Sequence, residues 1–507
     1  MSPDRPNILF IMCDDHAAQA ISAYGSRINR TPNIDRICDS PSGSRFDNCY
    51  VTNSICTPSR AAILTGTYNH VNRVTTLDTP MDNQLPNVAK HLRTAGYQTG
   101  MFGKWHLGEG PAYKPSGFDE WKVLPGQGEY YNPTFHTPQG VRRDSGYVTD
   151  IITDDCIQFL DHRDPDKPFF LMCHHKAPHR PWQPDERHRS LYPEVFWEPP
   201  SLDDTYDNRA RAAAAAKMRI AEDLTFDDLD LLPLRADGLP MDDGAAQAKI
   251  PYPADGHSVS MYLRETGETV TFSNRYELKR FKYNRYIRRY VQTVHSIDVN
   301  TGRLIDYLMA NSLWRNTIVV YTSDQGFFLG EHGWFDKRFI YEESLRMPLL
   351  VHAPGVTPAQ EERRVNTAMV CNVDFAPTFL ELAGVSVPSY MQGRSIAPLL
   401  RGDDPPDWPM EVYHRYWMNQ DDVHNAYAHY GIRTNRYKLI YWYNDDCGQP
   451  GANPGTDEPE WELFDLEHDP LELRNCYDDP AYQQAQAELI ERLNRKMAEI
   501  GDSPMHR

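Results

Sequence analysis

The stretch Asn7-Ile8-Leu9-Phe10-Ile11-Met12-Cys13, followed at once by Asp14-Asp15-His16, reads as a buried strand ending on two carboxylates. Seven uncharged residues without polar alternation bury both faces, as strands of a covered parallel sheet do. Three further runs have the same form. Gly96 to Phe102 leads into Gly103-Lys104-Trp105-His106, and Phe169 to Cys173 into His174-His175-Lys176-Ala177-Pro178-His179. Thr317 to Thr322 leads into Ser323-Asp324-Gln325-Gly326. Helical stretches separate these runs, so the pattern predicts an α/β fold with a large, mixed, mostly parallel sheet sandwiched by helices. Ligands of open α/β sheets bind beyond the carboxyl ends of the strands, and the four exits are expected to converge on one crevice.

Two chemical sets meet there. Asp14, Asp15, Asp324 and the amide oxygen of Gln325 are hard oxygen donors of the kind divalent cations take. Calcium suits them better than magnesium, because its flexible geometry accepts several protein oxygens whereas magnesium keeps more of its water. Arg60, Lys104, His106, His179 and Lys337 form a cationic set able to surround a tetrahedral oxyanion with fixed donors. Between them stands Cys56-Thr57-Pro58-Ser59-Arg60-Ala61, which reads as the head of a helix, with Pro58 in the first turn where its missing N–H costs nothing. An anion at Cys56 faces the positive helix end. Taken alone, Cys56 fits equally well a small buried apolar residue.

The bulk composition narrows the choice. The 507 residues carry 52 Lys and Arg against 71 Asp and Glu, a net charge of −19. Such a field repels nucleic acid and anionic membranes, so neither is an expected partner, and an anionic substrate must be recognised by a local cluster of cations and metal. Nine cysteines without CxxC spacing suit a reducing compartment better than a disulfide framework. Met1 to Pro6 runs directly into the first strand and no apolar run reaches bilayer length. A soluble, cytoplasmic protein is expected from the chain as it stands, or a periplasmic or secreted one if a leader has been removed.

Cys56 to Arg60 resembles the CxPSR signature of type I sulfatases, in which the cysteine is oxidised to formylglycine after synthesis. The resemblance extends over nearly the whole chain. Asn7 to Asp15, Gly66-Thr67-Tyr68, Gly103 to Gly108 and Ser323 to Lys337, with its Gly330-Glu331-His332-Gly333, are each similar to segments of that family. It implies an alkaline-phosphatase-like fold and hydrolysis of sulfuric esters. Cys56 would become formylglycine, made by a formylglycine-generating enzyme as a transient partner, and its hydrated gem-diol would attack sulfur. Asp14, Asp15, Asp324 and Gln325 would join it around Ca2+. The resemblance further implies that Arg60 and Lys104 hold the hydrate and stabilise developing charge, and that His106 takes a proton as sulfate leaves. His179 and Lys337 would contact the sulfate group, with His179 protonating the departing oxygen. Many members carry Asn or His where this chain has Gln325, whose amide still offers an oxygen on a longer arm. The run Ser323 to Gly333 resembles bacterial carbohydrate sulfatases of the N-acetylglucosamine-6-sulfatase and iduronate-2-sulfatase kind, so the expected substrate is a small sulfated carbohydrate.

Residues 1–402 are expected to form the catalytic domain, with an insertion at about 192–275 over the catalytic face and an alanine-rich helix near Arg209 to Ala221. Lys279 to Arg289 interleaves bases with aromatics; a solvated helix face is the expected reading, the overall charge opposing RNA. Arg401 to Pro406 marks a boundary, and 403–507 reads as a smaller α+β subdomain with an antiparallel sheet. Its His414, Arg415, His424, His429 and Arg433 are candidates for lining a sugar pocket, while Tyr437, Tyr441 and Trp442 are assigned to its core. Two other activities are compatible with these residues. One is a phosphodiesterase or phosphonate monoester hydrolase of the same superfamily; the other is a glycan-binding protein whose cysteine stays unconverted.

Overall fold

The computed structural model describes residues 5–254 and 257–506. Its main sheet has ten strands in the order Arg364–Asn366, Gly43–Phe46, Leu349–His352, Thr317–Ser323, Asn7–Cys13, Phe169–His174, Gln98–Lys104, Glu120–Leu124, Thr134–Thr137 and Gly140–Arg143. The five from Thr317–Ser323 to Glu120–Leu124 run parallel, with antiparallel neighbours at both margins. The four strands expected from the sequence are therefore adjacent. Alternate residues explain why the opening strand has no polar face. Ile8, Phe10 and Met12 pack with Ile63 and Phe379 on one side, and Leu9, Ile11 and Cys13 with Ile297 and Leu304 on the other.

Register then positions the chemistry. Cys13 lies opposite Ser323, so Asp14 and Asp324 leave the sheet side by side. Gly103 lies opposite His174, which brings Lys104 next to the turn that carries His179. Gly103 has φ +105°, and a Cβ there would fall 1.9 Å from the His174 carbonyl oxygen, so only glycine admits this approach. The nucleophile helix, Cys56–Thr65, is buried along its whole length and stops at Gly66 in the left-handed conformation.

The middle of the chain departs from expectation in two places. The alanine-rich helix covers only Arg211–Ala215. Beyond it the backbone is drawn out, because Lys217 N donates to His424 O, Ile220 N to Gly333 O and Phe335 N to Met218 O. Tertiary hydrogen bonds thus override alanine's helical preference. The basic face of the long helix Arg275–Ala310 is not solvated either. Lys282 donates to the carbonyls of Ala221 and Ile250, while Arg285 and Arg289 meet Glu265 and Asp230, all beneath the insertion. The insertion itself adds a three-stranded antiparallel sheet, Leu231–Pro233, Val259–Leu263 and Thr269–Phe272.

The C-terminal region forms the expected four-stranded antiparallel sheet, Glu411–Tyr416, His429–Thr434, Tyr437–Trp442 and Glu460–Asp465. Helix Gln483–Ile500 covers it through Leu489, Leu493, Met497 and Ile500, one helical face by spacing. Trp442 is buried among the aromatics of this sheet. None of the nine cysteines is paired, and among the described residues no helix is long and apolar enough to cross a membrane.

Candidate active site

At the carboxyl edge of the sheet every predicted metal residue and five of the six predicted catalytic residues are buried, His106 being partly exposed. Each carboxylate has one cation. Lys104 Nζ is bonded to Asp14 Oδ2; Lys337 Nζ lies 2.7 Å from Asp15 Oδ2; Arg60 places Nε and Nη2 at 3.0 and 2.8 Å from Asp324 Oδ2. Arg60 Nη1 also donates to the Lys104 carbonyl at 2.7 Å, which locks the helix to the strand exit. Cys56 Sγ sits 3.3 Å from Asp14 Oδ1 and 4.0 Å from Lys104 Nζ.

The electrostatics follow from this burial. Desolvation, reinforced by Asp14, pushes the Cys56 thiol well above its ordinary value despite the helix N-terminus. The residue is therefore a neutral thiol at physiological pH, and no thiolate nucleophile is available. Although burial opposes it, Lys104 and the other cations hold Asp14 well below the carboxylate range. Burial raises Asp15 well above that range and Asp324 to about 6. Gln325 donates through Nε2 to Asp15 Oδ1, and its Oε1 is buried without a partner. Asp14, Asp15 and Asp324 each present a ligand atom within 4.8 Å of the others. Three clustered carboxylates beside an orphaned amide oxygen are a donor set that fits a hard divalent cation.

Two imidazoles flank the cluster. His106 Nδ1 is 3.3 Å from Thr57 Oγ1, next to Cys56. His179 donates from Nδ1 to the Arg180 carbonyl at 2.6 Å, which leaves Nε2, 3.8 Å from Asp15 Oδ2, free to accept a proton. Burial pulls both rings well below the ordinary histidine value, with Lys104 adding to the effect. Both are thus neutral near pH 7 and lose that state only as the pH falls through their depressed values. With calcium in the buffer, neither imidazole should put an acid limb at or above about 6.5, the ordinary imidazole value, into the pH profile of kcat/KM. An acid limb centred at or above that value in a pH-rate profile would contradict the assignment.

Of the five candidates in the C-terminal subdomain, His424 reaches this neighbourhood. Its Nε2 is 3.2 Å from Asp336 Oδ2, next to Lys337 in sequence, and its Nδ1 is 2.9 Å from Asp421. The other four lie buried with partners inside the protein. His414 Nε2 accepts from Ser54 N at 3.1 Å, buttressing the loop before Cys56. Arg415 pairs with Asp502, His429 Nε2 accepts from Ile340 N, and Arg433 pairs with Glu342. Two residues of the site escape sequence reasoning. Gln127 is bonded to Lys104 Nζ and lies beyond strand Glu120–Leu124, an exit that the apolar runs do not reveal. Asp336 anchors Arg180 and His424. A cavity of about 430 Å³ opens beside His106, lined by Trp105, Trp121 and His136 among others.

A family model described as sulfatase matches residues 6–385. The chain belongs to the sulfatase family. As a sulfatase it is a hydrolase of sulfuric esters, with the large mixed sheet and small antiparallel sheet of sulfatase structures. A second model, the C-terminal part of N-sulphoglucosamine sulphohydrolase, matches residues 330–499. This sulfatase is 42% identical to an N-acetylglucosamine-6-O-sulfatase of Bacteroides thetaiotaomicron, over 98% of this chain and 87% of the other. It is 27% identical to human N-acetylglucosamine-6-sulfatase over 81% of this chain and 67% of the other. A solved structure of a protein in complex with its substrate, D-glucosamine-2-N,6-O-disulfate, matches with a TM-score of 0.84 and 39% identity, covering 98% of both chains.

Proposed function

We propose that this sulfatase removes the 6-O-sulfate of an N-acetylglucosamine-type hexosamine in a small sulfated carbohydrate. The supporting observation is the 42% identity to an N-acetylglucosamine-6-O-sulfatase over 98% of the chain. Cys56 is the residue oxidised to formylglycine, and Asp14, Asp15, Asp324 and Gln325 hold Ca2+, a reading supported by the buried carboxylates and the unpartnered Gln325 Oε1. When present, cation and formylglycine supply a polarised hydroxyl nucleophile that the buried thiol does not.

The remaining steps belong to the chain's own side chains. Arg60, held on Asp324 and the Lys104 carbonyl, fixes the helix that presents position 56. Lys104, 4.0 Å from Sγ, opposes negative charge developing there. His106, neutral and partly exposed, accepts a proton at the site's mouth. His179 and Lys337 face the sulfate from the side of Asp15; His179 Nε2, unprotonated at rest, would take a proton from the hydroxyl that attacks sulfur and hand it to the leaving sugar oxygen. His424 orients Asp336 toward the same side and is the one subdomain candidate kept for substrate. We take 1–402 as the catalytic domain and 403–507 as the subdomain that supplies it.

Formylglycine-containing protein with calcium should release sulfate from 6-O-sulfated N-acetylglucosamine with a higher kcat/KM than from 2-O- or 3-O-sulfated sugars or from a phosphate diester. A preference for the diester would reassign the chain within the superfamily. No release from any sulfated sugar would defeat the carbohydrate reading.

A further inference from the structure

The turn that carries His179 also carries Lys176, a residue without a role in the chemistry above. Its side chain is 98% buried by residue exposure of 2%. The five other buried lysines are committed: Lys104 to Asp14, Lys122 to Asp144 and Asp155, Lys282 to two carbonyls, Lys337 to Asp15, Lys438 to Glu342 and Glu472. Lys176 alone has no hydrogen bond or ion pair from its ammonium among the described residues. Its close contact is the face of Tyr130, whose centroid lies 4.7 Å from Nζ. A lysine buried without a counter-charge is costly to the fold, so its retention calls for a ligand.

Its position indicates which ligand. His175 N donates to the Met12 carbonyl at 2.8 Å and Asp14 N to the Ala177 carbonyl at 3.3 Å, so the backbone on either side of Lys176 is stitched to the exit that bears Asp14. Tyr130, beneath the ammonium, donates its hydroxyl to the His179 carbonyl at 2.7 Å and so braces both residues of the turn. The side chains whose fields reach Lys176 include Lys104, Asp14 and Asp15, members of the reacting centre. Burial and Lys104 bring its ammonium down to about 7, so an arriving anion fixes its proton. Lys104 and Lys337 each already hold a carboxylate, whereas Lys176 has all three donors uncommitted.

We propose that Lys176 is a further substrate-binding residue of the sulfatase, donating from its ammonium to a non-bridging oxygen of the sulfate ester. The inference rests on sulfuric-ester hydrolysis and not on the identity of the sugar, so inorganic sulfate is a sufficient probe. In calcium-loaded, formylglycine-containing protein, Lys176→Met should weaken the calorimetric affinity for sodium sulfate about tenfold, the scale of one charge-assisted hydrogen bond. KM for a sulfated substrate should rise by a similar factor, kcat should change less, and Lys176→Arg should recover part of the sulfate affinity. Because no ion pair is lost and a buried charge is removed, the melting temperature of Lys176→Met should hold or rise. Unaltered sulfate affinity in Lys176→Met would overturn the proposal. Where Lys176→Met fails to fold, Lys176→Gln checks sulfate affinity independently, and unaltered affinity there overturns the proposal as well.

Discussion

Cys56→Ala is expected to lower kcat for sulfate release by at least about 10⁴-fold, the scale seen when the nucleophile of a catalytic unit is removed. The side chain heads a fully buried helix at the meeting point of Asp14 and Lys104. Its raised thiol pKa keeps it from acting as a thiolate, so the proposed function requires its conversion. The fold should survive, because Sγ makes only two weak hydrogen bonds, to Asp14 and from Lys104, and alanine suits a buried helical position. Thermal unfolding within a few degrees of the parent, together with lost turnover, is the diagnostic pair. Mass spectrometry of the tryptic peptide around Cys56 adds a second reading: active protein should carry the aldehyde. Full sulfate release by the alanine variant, or an unconverted peptide in active protein, would contradict Cys56 as the precursor of the nucleophile.

The residues proposed for this chemistry are legible because they sit at the ends of strands buried on both faces, where unbroken apolar runs stop on polar residues. Asn7 to Cys13 and Thr317 to Ser323 show it, and the parallel register turned two separate sequence exits into one pair of aspartates. What stayed illegible depends on partners distant in the chain. His414 finds Ser54 across 360 residues and Arg433 finds Glu342 across 91, so nothing local distinguishes these cations from sugar ligands. Lys282, Arg285 and Arg289 look solvated on a helical wheel, yet the insertion folds back over them with its own carboxylates and carbonyls. Gln127 follows a strand with a charged, half-exposed start, so periodicity does not mark its exit.

Removing calcium should abolish activity and lower the melting temperature at pH 7.5, with both restored on readdition. Three buried carboxylates are balanced by Arg60, Lys104 and Lys337, but the balance is uneven: Asp14 is held low, while Asp15 and Asp324 are raised. A carboxylate whose folded pKa exceeds its unfolded value contributes stability below the unfolded value, near 3.8 for Asp324, and loses it as the pH rises through about 6. At pH 7.5 the metal-free site therefore carries ionised, desolvated Asp324 at a cost, and a divalent cation offsets it. At a thousandfold excess over its dissociation constant the cation adds about 4 kcal/mol to the native state. At pH 5.5 the cation must displace a proton, so affinity falls and the chelator should lower the melting temperature by less. Equal losses at both pH values would contradict the pairing of Asp324 with the metal, and full activity in excess chelator would contradict the metal itself. Asp324→Ala separates the two duties of this residue. It removes one metal ligand and strands Arg60, 1% exposed, without its counter-charge, a loss of about 3–5 kcal/mol for a broken buried pair. Its melting temperature should therefore lie below that of the chelated parent protein and should not recover with calcium.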